Sequence, residues 1–171
     1  MTILIKTKRC FLKQLNENDD LDRYLYWMKT PSNNPFIISA DVNYDFPQLR
    51  DFIISCNKRN DAILLGIFTI ENSLHIGNIK FEDIDLLEKT AILGILIGDK
   101  DFRGKGVAKE VILDSVLWLT NKYKIDTIKL SVDPKNLWAL TLYQNMGFEI
   151  FEKSTSDGYL MAVKASKLIG V

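Results

Sequence analysis

The chain has 171 residues, of which 47% are hydrophobic, 26% charged and 11% aromatic, so one compact domain with a single substantial core is expected. Lysine and arginine number 22 and acidic residues 22, a net charge of zero that removes the electrostatic basis for dedicated nucleic-acid binding. Two cysteines, Cys10 and Cys56, cannot build the disulfide framework of a small secreted domain and are read as buried thiols of a reduced, cytoplasmic protein.

Met1–Arg9 lacks the apolar run and small-residue cleavage site of a signal peptide, and no stretch approaches the roughly 18 to 20 apolar residues of a membrane span; no membrane partner is expected. No repeat, low-complexity tract or Gly/Ser/Pro linker divides residues 1–171, which are read as one domain. Ile3–Leu15, rich in Ile, Thr and Phe, predicts a strand. Asn16–Asp20 then caps a helix that aligns Leu21, Tyr24, Leu25 and Met28. Pro31 and Pro35, with Ser32, Asn33 and Asn34, mark a loop, after which Pro47–Lys58 puts Leu49, Phe52, Ile53 and Cys56 on one helical face. Ala62–Ile70 and Leu74–Phe81 read as a hairpin around the polar corner Glu71-Asn72-Ser73, and Ala91–Ile97 as a third strand. From Gly104 to about Tyr123, apolar residues recur at helical spacing without proline. Ile128, Leu130 and Val132 alternate with polar residues as a half-buried strand, Asn136–Met146 is a helix stopped by Gly147, and Phe148–Glu152 and Tyr159–Val163 are the last strands. Such an order predicts an α+β fold, not a doubly wound sheet.

The informative stretch runs from Ile95 to Ala108, where a strand passes through Gly98-Asp99-Lys100-Asp101-Phe102-Arg103 into a glycine-rich helix start. First-turn N–H groups and the positive dipole end favour an anion, and Gly104 and Gly106 let a phosphate approach the backbone. A P-loop is excluded because Gly106 is followed by Val107 and Ala108 where Lys-Ser/Thr is required. A dinucleotide fingerprint fails because Lys109 stands where a third small residue belongs.

Arg103-Gly104-Lys105-Gly106-Val107-Ala108 matches Arg/Gln-x-x-Gly-x-Gly/Ala, the signature of the GNAT superfamily of acetyl-CoA-dependent N-acetyltransferases, which this chain resembles. Asn136-Leu137-Trp138-Ala139-Leu140-Thr141-Leu142-Tyr143-Gln144-Asn145-Met146-Gly147-Phe148 resembles the second signature, Asn-x-x-Ala-x-x-x-Tyr-x-x-x-Gly-Phe. Together with the hairpin before them, the match spans about Ala62 to Val163. The pattern Tyr24-Leu25-Tyr26-Trp27-Met28-Lys29-Thr30-Pro31 resembles the start of the branch that holds ribosomal-protein N-terminal and amino-sugar acetyltransferases. The resemblance implies a mostly antiparallel, mixed central sheet flanked by helices. It implies an acceptor half over about residues 1–61 and an acetyl-CoA core over about 62–165, with no metal. Backbone groups of Leu96, Ile97 and Gly98 would bind the pantetheine amides, and those of Gly104, Lys105, Gly106, Val107, Ala108 and Lys109 the pyrophosphate, with Arg103 and Lys105 adding charge. Asn136 and Tyr143 would flank the thioester. Dimers are common in the family, so a homodimer is compatible with the resemblance.

In the family the amine attacks the thioester directly, which suits a chain whose one histidine, His75, sits between Leu74 and Ile76 in a strand; it is read as a sheet residue with a satisfied nitrogen. Tyr143 is the expected donor to the departing thiolate and Glu82 the expected base, with Asp83 and Asp85 beside it. The base matters according to the acceptor: at pH 7 about one in seven α-amines of pKa about 7.8 is neutral, against about one in 2,500 for a lysine-like amine. Tyr24, Tyr26, Trp27, Asn33, Asn34, Phe36 and Tyr44 are expected to form the acceptor cleft, suited to a small-molecule amine such as a nucleotide-linked amino sugar. A protein N-terminus is the alternative acceptor, and a non-catalytic acetyl-CoA sensor the alternative function.

Overall fold

In a computed structural model of the chain, which describes residues 3–32, 34–37, 41–154 and 158–170, the first apolar run folds back on itself. Where one strand was expected, β1 (Leu4–Lys6) and β2 (Cys10–Gln14) form an antiparallel hairpin. The cause is Thr7: its N–H donates to the Cys10 carbonyl at 2.9 Å, and its hydroxyl accepts from the Cys10 N–H at 2.9 Å.

Helix α1 (Asp22–Lys29) buries Tyr24, Trp27 and Met28. Helix α2 (Phe46–Lys58) begins in a capping box: Asp45 accepts from the Gln48 N–H and Gln48 from the Asp45 N–H, both at 2.9 Å, with Pro47 in the first turn. Its Leu49, Ile53 and Cys56 join the α1 residues, Leu15 and Leu64 in the smaller of two cores.

Strands β3 (Ile63–Thr69), β4 (His75–Asp85) and β5 (Thr90–Ile97) form the expected meander. β4 continues past Phe81 because a bulge, with Asp83 at φ 48°, absorbs the register change. A short 3-10 turn over Lys100–Phe102 precedes α3 (Val107–Tyr123), which starts three residues later than periodicity suggests because Gly104 and Gly106 hold φ of 68° and 77°. Then follow β6 (Thr127–Val132), α4 (Leu137–Asn145), β7 (Glu149–Ser154), β8 (Gly158–Lys164) and α5 (Ala165–Ile169). The last helix was not expected: five residues are too few to display a period, and it is fixed by burying Ala165 and Leu168.

The eight described strands form one sheet in the order β1-β2-β3-β4-β5-β6-β8-β7, antiparallel throughout except for β5 and β6. Helices α3 and α5 share the larger core with one face of the sheet; α1 and α2 share the smaller core with the other. In α3, Val111, Ile112, Val116 and Leu119 are fully buried, and at about 1.5–3 kcal/mol each they fix where that helix begins. Cys10 and Cys56 are free and buried, and burial pushes both thiols up. Among the described residues no helix is long and apolar enough to cross a membrane.

Candidate active site

β5 and β6 pair at three positions only, from Thr90 opposite Thr127 to Ile92 opposite Lys129. Beyond them β5 runs on to Ile97 against β4, and β6 to Val132 against β8, so the two parallel strands part into a wedge. In such a ladder alternate residues turn their N–H and C=O groups to either side, so each wall of the wedge carries unpaired main-chain groups. Leu93–Ile97 contributes roughly 16 Å of this edge, at about 3.3 Å per residue. An extended ligand with amides of its own can pair with it as an added strand would.

The carboxyl ends of both strands open at the mouth of the wedge, β5 leading to α3 and β6 to α4. Gly106 is the N-cap of α3 and offers no side-chain cap, so the first-turn N–H groups of Val107, Ala108 and Lys109 lack the usual capping partner. Among the described residues, a Cβ on Gly104 would meet nothing within 4 Å, and one on Gly106 only Arg9 Nη2 at 3.7 Å. Both glycines are therefore required by their positive φ and not by crowding, and the turn they make presents its amides as an anion-binding concavity. Lys105 and Lys109 are exposed beside it. The loop is braced from behind, where Arg9 Nη1 donates to the Lys105 carbonyl at 2.8 Å. Glu110, one turn into α3, accepts from the Thr7 hydroxyl at 2.6 Å and from Arg9 Nε at 2.7 Å. Burial pushes the Glu110 carboxyl up, and these bonds outweigh it, leaving the group below the usual carboxylate range.

The Arg103 side chain turns toward the end of β5. Its Nε donates to the Ile97 carbonyl at 2.8 Å, and its Nη2 to the Gly98 carbonyl at 2.9 Å and to Asn34 Oδ1 at 2.5 Å. The guanidinium is thus folded back on the end of β5, where it occupies the carbonyls of Ile97 and Gly98. Gly98 is needed for a packing reason: a Cβ there would lie 2.0 Å from the Trp27 ring. Gly98→Ala is expected to cost about 1–3 kcal/mol by overpacking, a fall of about 3–10 °C in melting temperature. Gly94→Ala, where a Cβ meets nothing within 4 Å, should leave the melting temperature unchanged or slightly higher in the same thermal unfolding measurement.

On α4, Asn136 is the N-cap, its Oδ1 accepting from the Ala139 N–H at 3.2 Å. Tyr143 lies seven residues on, two turns deeper on the same side of the helix. It is 7% exposed, packs its ring against Phe148 at 5.6 Å, and its hydroxyl has no hydrogen-bond partner among the described residues. Burial pushes the Tyr143 phenol up to about 12.

The acceptor side differs from expectation in particulars. Tyr24 and Trp27, 6% and 3% exposed, are core residues beneath the sheet and cannot line a cleft, because the α1 stripe that buries Met28 turns them inward with it. Asn34 is buried against Arg103, Tyr44 is half-buried, and Tyr26 and Phe36 are exposed; Asn33 lies outside the described residues. No atom of the described residues stands within 4 Å of where a Cβ on Gly94 would lie, on the α2 face of the sheet, where Lys80 Nζ is 5.6 Å from the Phe52 ring. Glu82 sits on that face two residues along β4, its oxygens 2.8 Å from Lys80 Nζ and 3.7 Å from Arg59 Nη1. It pairs with Ile92, five residues from Ile97, so roughly 17 Å of strand separates the two ends. His75 is buried, its ring stacked on Phe68 at 4.6 Å and its Nε2 within 3.0 Å of the Gly77 carbonyl; burial lowers its pKa and keeps it neutral.

Known proteins share this fold. The family model of the acetyltransferase (GNAT) domain matches residues 9–149. A "Probable spermine N(1)-acetyltransferase" from Bacillus subtilis subsp. natto is 33% identical over 66 residues, which are 39% of this chain and 43% of that protein, so the match spans less than half of the relative. The crystal structure of spermidine N-acetyltransferase from Vibrio cholerae in complex with CoA and spermine superposes with a TM-score of 0.82 at 18% identity, covering 94% of this chain and 98% of that one. A GNAT-family acetyltransferase from Bacillus anthracis gives 0.79 at 16% identity, covering 96% and 99%.

Proposed function

This chain belongs to the GNAT acetyltransferase family, and from that premise we propose that it moves the acetyl group of acetyl-CoA directly to a primary amine of a small molecule. The observation that carries the reading is the wedge between β5 and β6 opening on the Gly104–Gly106 turn. A thioester arm needs an unpaired strand edge and a diphosphate needs convergent amides, and here the two are continuous.

Acetyl-CoA supplies the activated acyl group. The pantetheine amides lie along the end of β5 at Leu96, Ile97 and Gly98, whose main-chain groups turn alternately to β4 and to the wedge, and the N–H of Ile97 is assigned to the thioester oxygen, stabilising the charge that develops there. The amides from Gly104 to Lys109 hold the diphosphate, with Lys105 and Lys109 adding charge. Asn136 orders the start of α4, and Tyr143 donates a hydrogen bond to the sulfur as it leaves.

The acceptor docks between α1, α2 and the β4–β5 face, in the half of the chain before about residue 61 and over Gly94. An amino sugar was expected on the strength of aromatic stacking surfaces, and two of these, Tyr24 and Trp27, are buried. A di- or polyamine is better supported, by the similarity to spermine and spermidine acetyltransferases and by the carboxylate Glu82 on the α2 face of the sheet. A thiol-release assay over spermidine, spermine, an amino sugar nucleotide and a peptide amine tests it. Release is expected with the polyamines; acetyl-CoA bound tightly without turnover on any amine would make the chain a sensor.

With about 17 Å of strand between it and the thioester end, Glu82 can take the amine's proton only through a chain of several waters. Glu82→Gln is expected to lower turnover about fivefold at pH 7, and the deficit to shrink toward pH 10, where an amine of pKa about 10.4 sheds its proton unaided. A deficit constant with pH would assign Glu82 to holding Lys80 and Arg59.

A further inference from the structure

The segment joining β5 to α3 is gripped from the acceptor side at three points. Arg23 of α1 donates Nε to the His75 carbonyl at 2.6 Å and pairs its Nη2 with Asp99. The Trp27 ring lies on Gly98. Asn34, buried in the α1–α2 connection, accepts from Arg103 through Oδ1 at 2.5 Å and donates through Nδ2 to the Trp27 carbonyl at 3.3 Å. Because Arg103 also binds the Ile97 and Gly98 carbonyls, one guanidinium joins the end of the pantetheine edge to an amide of the acceptor half.

We propose that Arg103 is a positioning residue that couples the two half-sites, setting the end of β5 for the cofactor and, through Asn34, fixing the α1–α2 connection against which the amine docks. This rests on the acetyl-CoA reading and departs from the role the motif suggests, a phosphate ligand. A planar guanidinium with donors on separate nitrogens can serve three acceptors at once; a lysine ammonium on a flexible stem is a point charge and cannot hold this geometry. The exposed Lys105 and Lys109 remain for the phosphates.

The test combines CoA titration calorimetry with steady-state kinetics on spermidine. Asn34→Ala is expected to raise the spermidine KM about tenfold while kcat and the CoA Kd stay within twofold, and Asn34→Asp, which keeps the acceptor oxygen, to recover most of the loss. Arg103→Gln is expected to raise both the CoA Kd and the spermidine KM about tenfold, without changing the slope of log Kd for CoA against log salt, because no phosphate contact is lost. Adding Asn34→Ala to Arg103→Gln should leave the KM where Arg103→Gln put it. An unchanged KM in Asn34→Ala, a loss of CoA binding in that variant, additive effects in the double variant, or a flattened salt slope in Arg103→Gln would each overturn the coupling. Absence of CoA binding by the unaltered protein would instead overturn the acetyl-CoA reading.

Discussion

Tyr143→Phe is expected to lower turnover by about 10- to 150-fold at saturating acetyl-CoA while leaving acetyl-CoA affinity within twofold. The magnitude follows from a hydrogen bond to a developing anion, worth about 1.5–3 kcal/mol. The environment of Tyr143 decides what kind of donor it is. Burial raises the phenol to about 12, and an ordinary thiol ionises near 8.5, so complete transfer of the proton to sulfur is uphill by about 3 to 4 pH units, or about 5 kcal/mol. A hydrogen bond that strengthens as charge builds on sulfur escapes that cost. The sign of the shift also fixes the pH profile: a raised phenol stays protonated as pH rises through 10, so turnover should show no loss from Tyr143 below about pH 11. A rate-pH profile with a basic limb near 10 that vanishes in the Phe variant would mean that the phenol is not buried as described, and unaltered turnover would remove Tyr143 from the chemistry.

Replacing both Gly104 and Gly106 by Ala is expected to weaken CoA binding by about 30- to 800-fold. Each position lies in the left-handed region, where an L-residue costs roughly 1–2 kcal/mol, and either the alanines bear that strain or the turn relaxes and its amides no longer converge. Among the described residues neither added Cβ would meet an atom closer than 3.7 Å, so steric collision with them contributes nothing and the experiment isolates backbone conformation. Equilibrium titration of CoA reads the effect directly. Melting temperature serves as the control, since a loop that relaxes loses affinity without unfolding α3. Wild-type affinity in the double variant would show that the diphosphate is bound elsewhere.

Much of this molecule was legible in the sequence because its elements have long periods or strong punctuation. Leu49, Phe52, Ile53 and Cys56 at helical spacing after Pro47 announce α2, and Ile128-Leu130-Val132 announces β6. The two motifs on either side of the wedge were visible because their glycines and polar residues recur at fixed offsets. What could not be read is what depends on contacts between distant segments. The hairpin β1–β2 looked like one strand because Thr7-Lys8-Arg9 turns only by bonding its own backbone and Glu110, a hundred residues away. Tyr24 and Trp27 looked like cleft residues because helical periodicity gives a stripe without saying what covers it, and here the sheet does. The inward turn of Arg103 carried no local signal, since its partners include a carbonyl, a neighbouring carbonyl and an amide 69 residues away. A motif specifies which backbone a ligand meets; which side chains stay free to meet it is settled only by packing.

The central claim is that CoA lies along the unpaired edge of β5 with its diphosphate on the turn before α3. Hydrogen–deuterium exchange with and without CoA tests it at the amides concerned. Slowed exchange is expected in peptides covering 93–98 and 104–110, with β1 and β2 unchanged; saturating CoA that leaves both peptides exchanging at their free rates would contradict the account.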